Sequence, residues 1–274
     1  MLKFTKMHGL GNDFMVIDGV NQSVSLSAED IQQLSDRHTG VGFDQCLIAS
    51  ASSKPLVDFQ YQIFNADGSA VGQCGNGARC LALFLQHHGL NNGNKMVVAT
   101  QTTQMTLEIL GDLVQVDMGR PCFSPKDIPI EALNEQETYQ LLMPNGSFQN
   151  IYTVNVGNPH AVILVDDIDS APVESVGAYI SQHDFFPEQA NVGFMEIVNK
   201  QHIKLRVYER GCGETNACGS GAVGAAAVAR KFLGLSDEIQ VDLLGGSLSV
   251  LWPDLSESIS LVGPGQFVYD GVLY

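Results

Sequence analysis

The stretch QCGNGARC at residues 73–80 is repeated later in the chain as ACGSGAVG at residues 217–224. Each copy has the pattern Cys-Gly-x-Gly-Ala and leads into an apolar segment of helical composition. A cysteine at such a glycine-loosened helix N-terminus lies beside free backbone N–H groups and the positive end of the helix dipole, which favour negative charge. The pKa of a thiol falls in this setting. Two cysteines in matching contexts therefore predict a pair of bases, Cys74 and Cys218.

The order of elements around the two copies indicates an internal duplication. Cys218 follows Cys74 by 144 residues, and the same offset pairs Asn65 with Glu209 and aligns the apolar positions of the preceding strands. Apolar alternation and turn residues predict the elements of each half. The predicted strands are 2–8, 13–18, 43–49, 57–64, 96–100, 105–110 and 113–118 in the first half, and 151–156, 161–165, 192–198, 202–208, 238–243, 247–251, 258–262 and 267–273 after it.

Helices are predicted after Ser27, after Cys74, over 173–182 and after Cys218. Ser27 with Asp30 has the spacing of a capping box. Residues 120–147 contain four prolines and many polar residues, so we expect an irregular crossover between the halves.

Composition and charge exclude several classes of protein. The chain has 274 residues, 45% of them hydrophobic, which suits one large or two medium domains. A net charge of −16 argues against nucleic acid or an anionic membrane as a partner. Residues 1–14 hold no uninterrupted apolar region, so no signal peptide is visible. Six cysteines without a C-x-x-C pair indicate neither a disulfide scaffold nor a zinc ribbon. We expect a cytoplasmic protein.

The duplication suggests a chemistry for the two cysteines. Two like halves related by a pseudo-twofold axis would place one sulfur on each side of a small molecule bound between them. One thiolate would then remove the proton of a stereocentre, and the opposing thiol would return a proton to the other face. Backbone N–H groups of Gly75-Asn76 and Gly219-Ser220 would receive an α-carboxylate. The pattern therefore predicts a racemase or epimerase that needs no pyridoxal-type cofactor.

Other interpretations of the same residues are weaker. A metal site of Cys74, Cys80, Cys218 and His160 fits no common zinc spacing, so we predict no metal. Gly75-x-Gly77 lacks the Gly-Lys-Ser/Thr of a phosphate loop. His160 is singled out among the histidines because it follows Gly157-Asn158-Pro159 at the start of a predicted strand. The remaining cysteines are expected to be small core or loop residues: Cys46, Cys80, Cys122 and Cys212.

Five segments together resemble the diaminopimelate epimerase family. They are MHGLGNDF at 7–14, FNADGS at 64–69, CGNGARC at 74–80, GNPH at 157–160 and the run from Tyr208-Glu209-Arg210-Gly211 to Ala217-Cys218-Gly219-Ser220-Gly221. The match covers nearly the whole chain in the right order, is weakest across 120–150, and departs from the family at no motif position.

The resemblance implies a function and the residues that perform it. It implies cofactor-independent interconversion of LL- and meso-diaminopimelate, in lysine and peptidoglycan-precursor biosynthesis. It implies Cys74 and Cys218 as the two bases, with His160 and Glu209 tuning their ionisation. The substrate-binding residues that it implies are Asn12, Gln45, Asn65, Gly75, Asn76, Asn158, Asn191, Glu209, Arg210, Gly219 and Ser220. Arg210 suits a distal carboxylate.

The resemblance also implies the architecture. The expected fold is α/β (α+β), with two pseudo-symmetric domains, each a strongly curved, mostly antiparallel sheet wrapped around a central helix. The expected domains are residues 1–118 with 265–274, which contribute Cys74, and residues 119–264, which contribute Cys218. A homodimer is expected as well.

Three other functions remain open at this stage. Proline and hydroxyproline racemases share this architecture and also use a cysteine pair, so the fold does not decide the substrate. Arg210 with Asn65, Asn158 and Asn191 favours a dicarboxylic diamine over proline. The chain could also be a non-catalytic amino-acid-binding protein, which would tolerate Cys→Ser at both positions. A thiol-redox sensor would instead use a Cys74–Cys218 disulfide to switch a second activity.

Overall fold

The computed structural model describes residues 1–274. The chain forms two compact units, residues 1–117 with 262–274 (unit 1) and residues 118–261 (unit 2). The predicted domains, 1–118 with 265–274 and 119–264, remain our proposal for the functional division of the chain.

The elements alternate strands with four helices. The first part of the chain contains β1 (Leu2–Gly9), β2 (Asn12–Asp18), α1 (Ala28–Ser35), β3 (Gln45–Ala51), β4 (Phe59–Asn65), β5 (Ala70–Val71), α2 (Gly75–His87), β6 (Lys95–Ala99), β7 (Gln104–Leu110) and β8 (Leu113–Asp117). The remainder contains β9 (Tyr139–Leu142), β10 (Phe148–Asn155), β11 (Pro159–Leu164), α3 (Val173–Ser181), β12 (Asn191–Asn199), β13 (His202–Glu209), β14 (Gly213–Thr215), α4 (Gly219–Leu233), β15 (Glu238–Leu243), β16 (Gly246–Leu251), β17 (Ser260–Pro264) and β18 (Gln266–Leu273).

The two units repeat one topology. In unit 1 the strands lie side by side in the order β18-β1-β2-β3-β4-β6-β7-β8, with β5 also paired to β4. In unit 2 the order is β9-β10-β11-β12-β13-β15-β16, with β14 also paired to β13. Among these pairs, β2–β3 and β4–β6 in unit 1 and β11–β12 and β13–β15 in unit 2 are parallel. Matching pairs in matching directions support the duplication.

The register of the strands makes residues of the two units equivalent. Phe14 is the register partner of Gln45 in the parallel β2–β3 pair, and His160 is the partner of Asn191 in the parallel β11–β12 pair. Position 14 of unit 1 therefore corresponds to position 160 of unit 2. A phenylalanine occupies the place where unit 2 carries a histidine.

One helix lies at the centre of each unit. Helix α2 packs against β1, β2, β3, β7 and β8, and α4 packs against β10, β11, β12, β13, β15 and β16. Most residues of both helices are buried, because small and apolar side chains cover nearly their whole circumference. The outer helices α1 and α3 follow β2 and β11 and cover the opposite faces of their sheets, where they complete the cores around Ile31 and Ile180. No helix in the molecule combines the length and the apolar character that crossing a bilayer requires.

Most of the predicted elements are confirmed to within two or three residues. The capping box is present, since the Asp30 N–H donates to Ser27 Oγ and the Ser27 N–H donates to Asp30 Oδ2. The prediction for residues 120–147 is wrong at 139–142, because β9 pairs with β10 there. The short strands β5 and β14 were not predicted either, since two or three residues carry no periodicity.

The contact between α3 and β13 gives a test of packing in unit 2. A Cβ atom at Gly177 would lie 2.6 Å from Tyr208 Cβ, so we expect Gly177→Ala to destabilise unit 2 by about 1–3 kcal/mol. This range is the net loss, after the gain of about 1 kcal/mol in helix propensity has been subtracted. Urea unfolding followed by the fluorescence of Trp252, the single tryptophan of the chain, measures the change. In the control Gly93→Ala the new Cβ has no neighbour closer than 3.6 Å, so an equal loss in both variants would contradict the packing argument.

Candidate active site

In unit 1, the turn that follows β5 places Cys74 at the N-cap of α2. Its backbone is extended, and its sulfur accepts the Gly77 N–H at 3.3 Å. Gly75 and Asn76 are the first helical residues, so their N–H groups lie at the unsatisfied positive end of the helix. The side chain is partly buried. Both the N–H donor and the helix dipole favour the thiolate form of Cys74.

Two asparagines lie beside this cysteine. Asn12, at the start of β2, donates its amide to Asp44 Oδ2 at 3.0 Å, which turns its carbonyl oxygen away from Asp44. That oxygen accepts the Asn76 amide at 3.3 Å and the Cys74 S–H at 3.9 Å. Asp44 also bonds Arg37, which forms an ion pair with Asp13. The β1–β2 motif therefore fixes the orientation of an amide at the cysteine.

Further amides come from the neighbouring strands β3 and β4. Gln45 Nε2 donates to Asn65 Oδ1 at 3.0 Å, and Asn65 Nδ2 donates to Ser69 Oγ at 3.1 Å. Gln45 Oε1 is buried and has no hydrogen-bond partner. An acceptor in this state suits the ammonium group of a ligand.

In unit 2, Cys218 is the N-cap of α4 and meets a carboxylate. Its sulfur accepts the Gly221 N–H at 3.4 Å, as in unit 1. Its S–H donates to Glu209 Oε2 at 3.1 Å, and Thr215 Oγ1 donates to Glu209 Oε1 at 2.5 Å. Burial first, and the Glu209 carboxylate second, raise the pKa of Cys218 well above its ordinary value. At neutral pH Cys218 is therefore a thiol in this conformation.

His160 is connected to Cys218 through two other side chains. Its Nε2 lies 3.0 Å from Asn158 Oδ1, so Nε2 carries the proton that is donated to this oxygen. Asn158 donates its amide to Ser220 Oγ at 3.4 Å, and Ser220 Oγ is 3.6 Å from Cys218 Sγ. Burial, with a smaller contribution from Arg210, lowers the pKa of His160 to about 3. His160 is a neutral imidazole that positions Asn158.

Asn191 and Arg210 complete this cluster. The Arg210 backbone N–H donates to Asn191 Oδ1 at 2.9 Å, and its Nη1 donates to the Glu188 carbonyl at 2.7 Å. Asn191 Nδ2 donates to the Pro159 carbonyl at 3.3 Å. Because the Arg210 guanidinium has no carboxylate partner in the chain and its residue is exposed, it is available to a carboxylate of a ligand.

The structure thus brings the predicted residues together in two sets, one in each unit. In the first set Asn12, Gly75 and Asn76 lie at Cys74, while Gln45 and Asn65 bond each other on the strands β3 and β4. The second set surrounds Cys218 with Asn158, His160, Asn191, Glu209, Arg210, Gly219 and Ser220. The two sets differ in chemistry: unit 2 has the carboxylate of Glu209 in the place of the Asn65 amide, and the imidazole of His160 in the place of Phe14.

Sequence reasoning missed three residues at these sites. Thr215 donates a hydrogen bond to Glu209. The only feature of the sequence that could have indicated its role is its position three residues before Cys218. Tyr61 of β4 is buried, and burial first and the Cys74 charge second raise the pKa of its hydroxyl. Arg79 lies inside the motif at the start of α2, but an arginine in a helix is expected to be exposed because of its charge. The structure contains no group of three or more His, Cys, Asp or Glu side chains arranged to hold a metal ion.

Comparison with known proteins identifies the family. The family model described as "Diaminopimelate epimerase" matches residues 4–124 and 152–268. The chain belongs to the diaminopimelate epimerase family. It is 59% identical to the diaminopimelate epimerase of Legionella pneumophila (strain Lens) over 273 residues, which cover 99% of each chain. The predicted family and enzyme class, an amino-acid epimerase and hence an isomerase, are confirmed.

Solved structures confirm the predicted fold class. A phenazine biosynthesis protein of the PhzF family from Bacillus anthracis has a TM-score of 0.70 and 16% identity, covering 100% of this chain and 99% of that one. A probable proline racemase from Agrobacterium radiobacter K84 has a TM-score of 0.69 and 13% identity, covering 100% and 93%. At these identities the likeness concerns the fold and leaves the substrate open.

Proposed function

We propose that the chain interconverts LL- and meso-2,6-diaminopimelate, with Cys74 and Cys218 as the two bases. The observation that carries the proposal is that both units contain the same arrangement. In each unit a cysteine caps a central helix and its sulfur accepts the N–H of the third helical residue. The full-length relative in Legionella pneumophila supports diaminopimelate as the substrate.

The mechanism proposed here transfers one proton to each side of the α-carbon. One sulfur, as the thiolate, removes the α-proton, and the S–H of the other sulfur delivers a proton to the opposite face. After the reaction the first sulfur is a thiol and the second is a thiolate. The reverse reaction therefore begins with the protonation states of the two cysteines exchanged. Because Cys218 is a thiol in this conformation, the arrangement suits Cys74 as the first base.

The helix N-termini supply the stabilisation that proton transfer alone does not. General base catalysis accounts for about 10²–10⁴-fold of a rate. Charge moves onto the α-carboxylate when the proton leaves, and preorganised N–H donors aimed at these oxygens stabilise it. We assign this role to the N–H groups of Gly75, Asn76, Gly219 and Ser220. Arg210 would hold the distal carboxylate, and the amides of Asn65, Asn158 and Asn191 would hold the distal ammonium.

Three further expectations belong to the same proposal. The reaction uses no cofactor, because the helix termini perform the electron-withdrawing role at the carboxylate. The protein acts in the cytoplasm, where a reducing environment keeps both thiols active. It assembles as a homodimer.

Proton exchange into solvent tests the proposed reaction directly. The protein is incubated in D₂O with LL-diaminopimelate, a thiol reductant and no added cofactor, and proton NMR follows the α-proton. We expect the α-proton signal to disappear while the meso isomer accumulates. Exchange of proline but not of diaminopimelate would contradict the substrate, and exchange of no amino acid would contradict an epimerase in favour of the binding protein or the redox sensor.

The hydroxyl that holds Glu209 provides a second test. We expect Thr215→Val to lower kcat about ten-fold or more, because a hydrogen bond to a charged group contributes about 1.5–3 kcal/mol. Steady-state rates in both directions measure the effect. Thr215→Ser keeps the donor and should retain activity within about two-fold, so an equal loss in both variants would show that the methyl group, and not the hydroxyl, matters.

A further inference from the structure

Unit 1 contains a buried positive charge that the proposed mechanism does not use. Arg79 lies on α2, one helical turn after the first residue of the helix, and its side chain is fully buried. It forms no ion pair. Buried charges in proteins are usually paired with an opposite charge, since an isolated one is costly to remove from water. An unpaired guanidinium in the core therefore calls for an explanation.

All the hydrogen bonds of Arg79 go to neutral acceptors. Nε donates to the Pro264 carbonyl at 3.0 Å, Nη1 to the Gly75 carbonyl at 3.3 Å, and Nη2 to Asn76 Oδ1 at 3.0 Å. Gly9 of β1 makes room for the fork, because a Cβ there would lie 3.2 Å from Nη2. The guanidinium is thus held in one orientation with its charge not neutralised by a carboxylate.

The network of Arg79 leads to the Cys74 sulfur. Arg79 fixes the carbonyl oxygen of the Asn76 side chain, which leaves the Asn76 amide to donate to Asn12 Oδ1, and this oxygen also accepts the Cys74 S–H at 3.9 Å. We propose that Arg79 is a positioning residue that holds a permanent positive charge behind the α2 N-terminus and thereby favours the thiolate of Cys74. The charge adds to the helix dipole and to the Gly77 N–H, which act in the same direction, and it opposes the Asn12 oxygen, which as an acceptor favours the thiol.

Two other titratable groups of unit 1 interact with Cys74, Tyr61 on β4 and Cys80 on α2, and neither supplies a competing charge. Burial raises the pKa of Cys80 to about 12 and also raises that of Tyr61, so both are neutral at pH 7. Burial lowers the pKa of Arg79, while the charges of Cys80 and Cys74 raise it. An arginine stays protonated in proteins because its ordinary pKa exceeds 12.

Unit 2 shows the opposite arrangement at the equivalent positions. Val223 stands where unit 1 has Arg79, and Glu209 stands where unit 1 has Asn65. A negative charge faces Cys218 and no positive charge lies behind it, which favours its thiol form. The duplicated halves thus bias their cysteines in opposite directions. A two-base reaction needs this starting state, with one thiolate and one thiol.

The inference assigns the resting base within the proposed function, and its test does not require turnover. The rate of alkylation of Cys74 by iodoacetamide is measured against pH by peptide mass spectrometry, without substrate. Cys218→Ser is used as the background, because two interacting thiols titrate as a coupled pair. We expect a midpoint for Cys74 below the value of about 8.5 that an unperturbed thiol shows.

Two variants in this background separate charge from hydrogen bonding. Arg79→Gln retains amide donors without the charge and should raise the Cys74 midpoint by about one pH unit or more. Arg79→Lys retains the charge and should leave the midpoint within about half a unit. Circular dichroism verifies that each variant is folded.

Two results would overturn the inference. One is a Cys74 midpoint at or above about 8.5 while Arg79 is intact, a result that does not depend on the folding of any Arg79 variant. The other is a folded Arg79→Gln protein with an unchanged midpoint. Failure of the NMR exchange experiment with diaminopimelate would contradict the proposed function and leave the alkylation result standing.

Discussion

Cys74→Ser and Cys218→Ser each lose epimerisation while each retains slow solvent exchange with one stereoisomer: this is the result that we expect for a two-base enzyme. A serine hydroxyl is a much weaker acid than a thiol, so it replaces neither base, and kcat should fall by at least about 10²–10⁴-fold. The remaining cysteine can still remove the α-proton from the isomer that faces it and return deuterium to the same face. NMR in D₂O, run separately with LL- and meso-diaminopimelate, measures exchange and inversion independently.

The pattern across the two variants carries the conclusion. If the cysteines act from opposite faces, the two variants should exchange opposite stereocentres. Exchange of the same stereocentre by both variants would indicate a single base and would contradict the mechanism. Cys122→Ser is the matched control, since this partly buried cysteine contacts the Arg120 carbonyl and lies outside both sets of site residues. It should keep the full rate.

Acid should destabilise unit 2 through His160. Burial holds the pKa of His160 at about 3 in the folded protein, against about 6.5 in an unfolded chain. Between these values the unfolded chain binds the proton and the folded chain does not, so stability is lost as the pH falls below about 6.5. Between pH 7.5 and pH 5 this residue alone should remove about 2 kcal/mol, because each pH unit below 6.5 removes about 1.4 kcal/mol. Urea unfolding followed by Trp252 fluorescence measures the loss.

The equivalent position in unit 1 suggests a variant that tests whether His160 causes the loss of stability in acid. Phe14 occupies the equivalent register position, so His160→Phe replaces the imidazole by the side chain that the other half uses. The stability of this variant should fall about 2 kcal/mol less than that of the parent protein between pH 7.5 and pH 5. His183→Gln, which changes a partly exposed histidine of the same unit, should keep the full pH dependence. An undiminished loss in His160→Phe would assign the acid sensitivity to other groups.

Local patterns were sufficient to predict most of the fold. The repeated cysteine stretch predicted two central helices, and apolar alternation predicted most of the strands around them. The prediction for residues 120–147 was wrong at β9. The four prolines of this segment favour irregular structure, and a strand of four residues is too short to give a clear alternation of apolar residues. That strand exists because β10 offers an unpaired edge, with Tyr139 opposite Ile151, and a tertiary partner of this kind leaves no local signal.

The same distinction applies to the site: some of its residues could be predicted from the local sequence, and others depend on tertiary contacts. Cys74 with Gly75 and Asn76 could be predicted, because the helix cap itself brings them together. The contact of Thr215 with Glu209 depends on the β13–β14 hairpin, and the burial of Arg79 depends on Pro264, which is 185 positions away. A composition-based reading places an arginine at the surface. Such a reading fails for Arg79, whose charge has a proposed function in the core.

The pairing of β18 with β1 has a consequence for the biosynthesis of the protein. Unit 1 begins at the amino end, yet the strand that borders β1, and the Pro264 carbonyl that holds Arg79, are translated only after all of unit 2. Unit 1 therefore cannot be completed until the whole of unit 2 has also been synthesised. Domains that are continuous in sequence fold from the amino end during translation. In this chain the Cys74 half cannot reach its final form before the end of synthesis, although it is begun first.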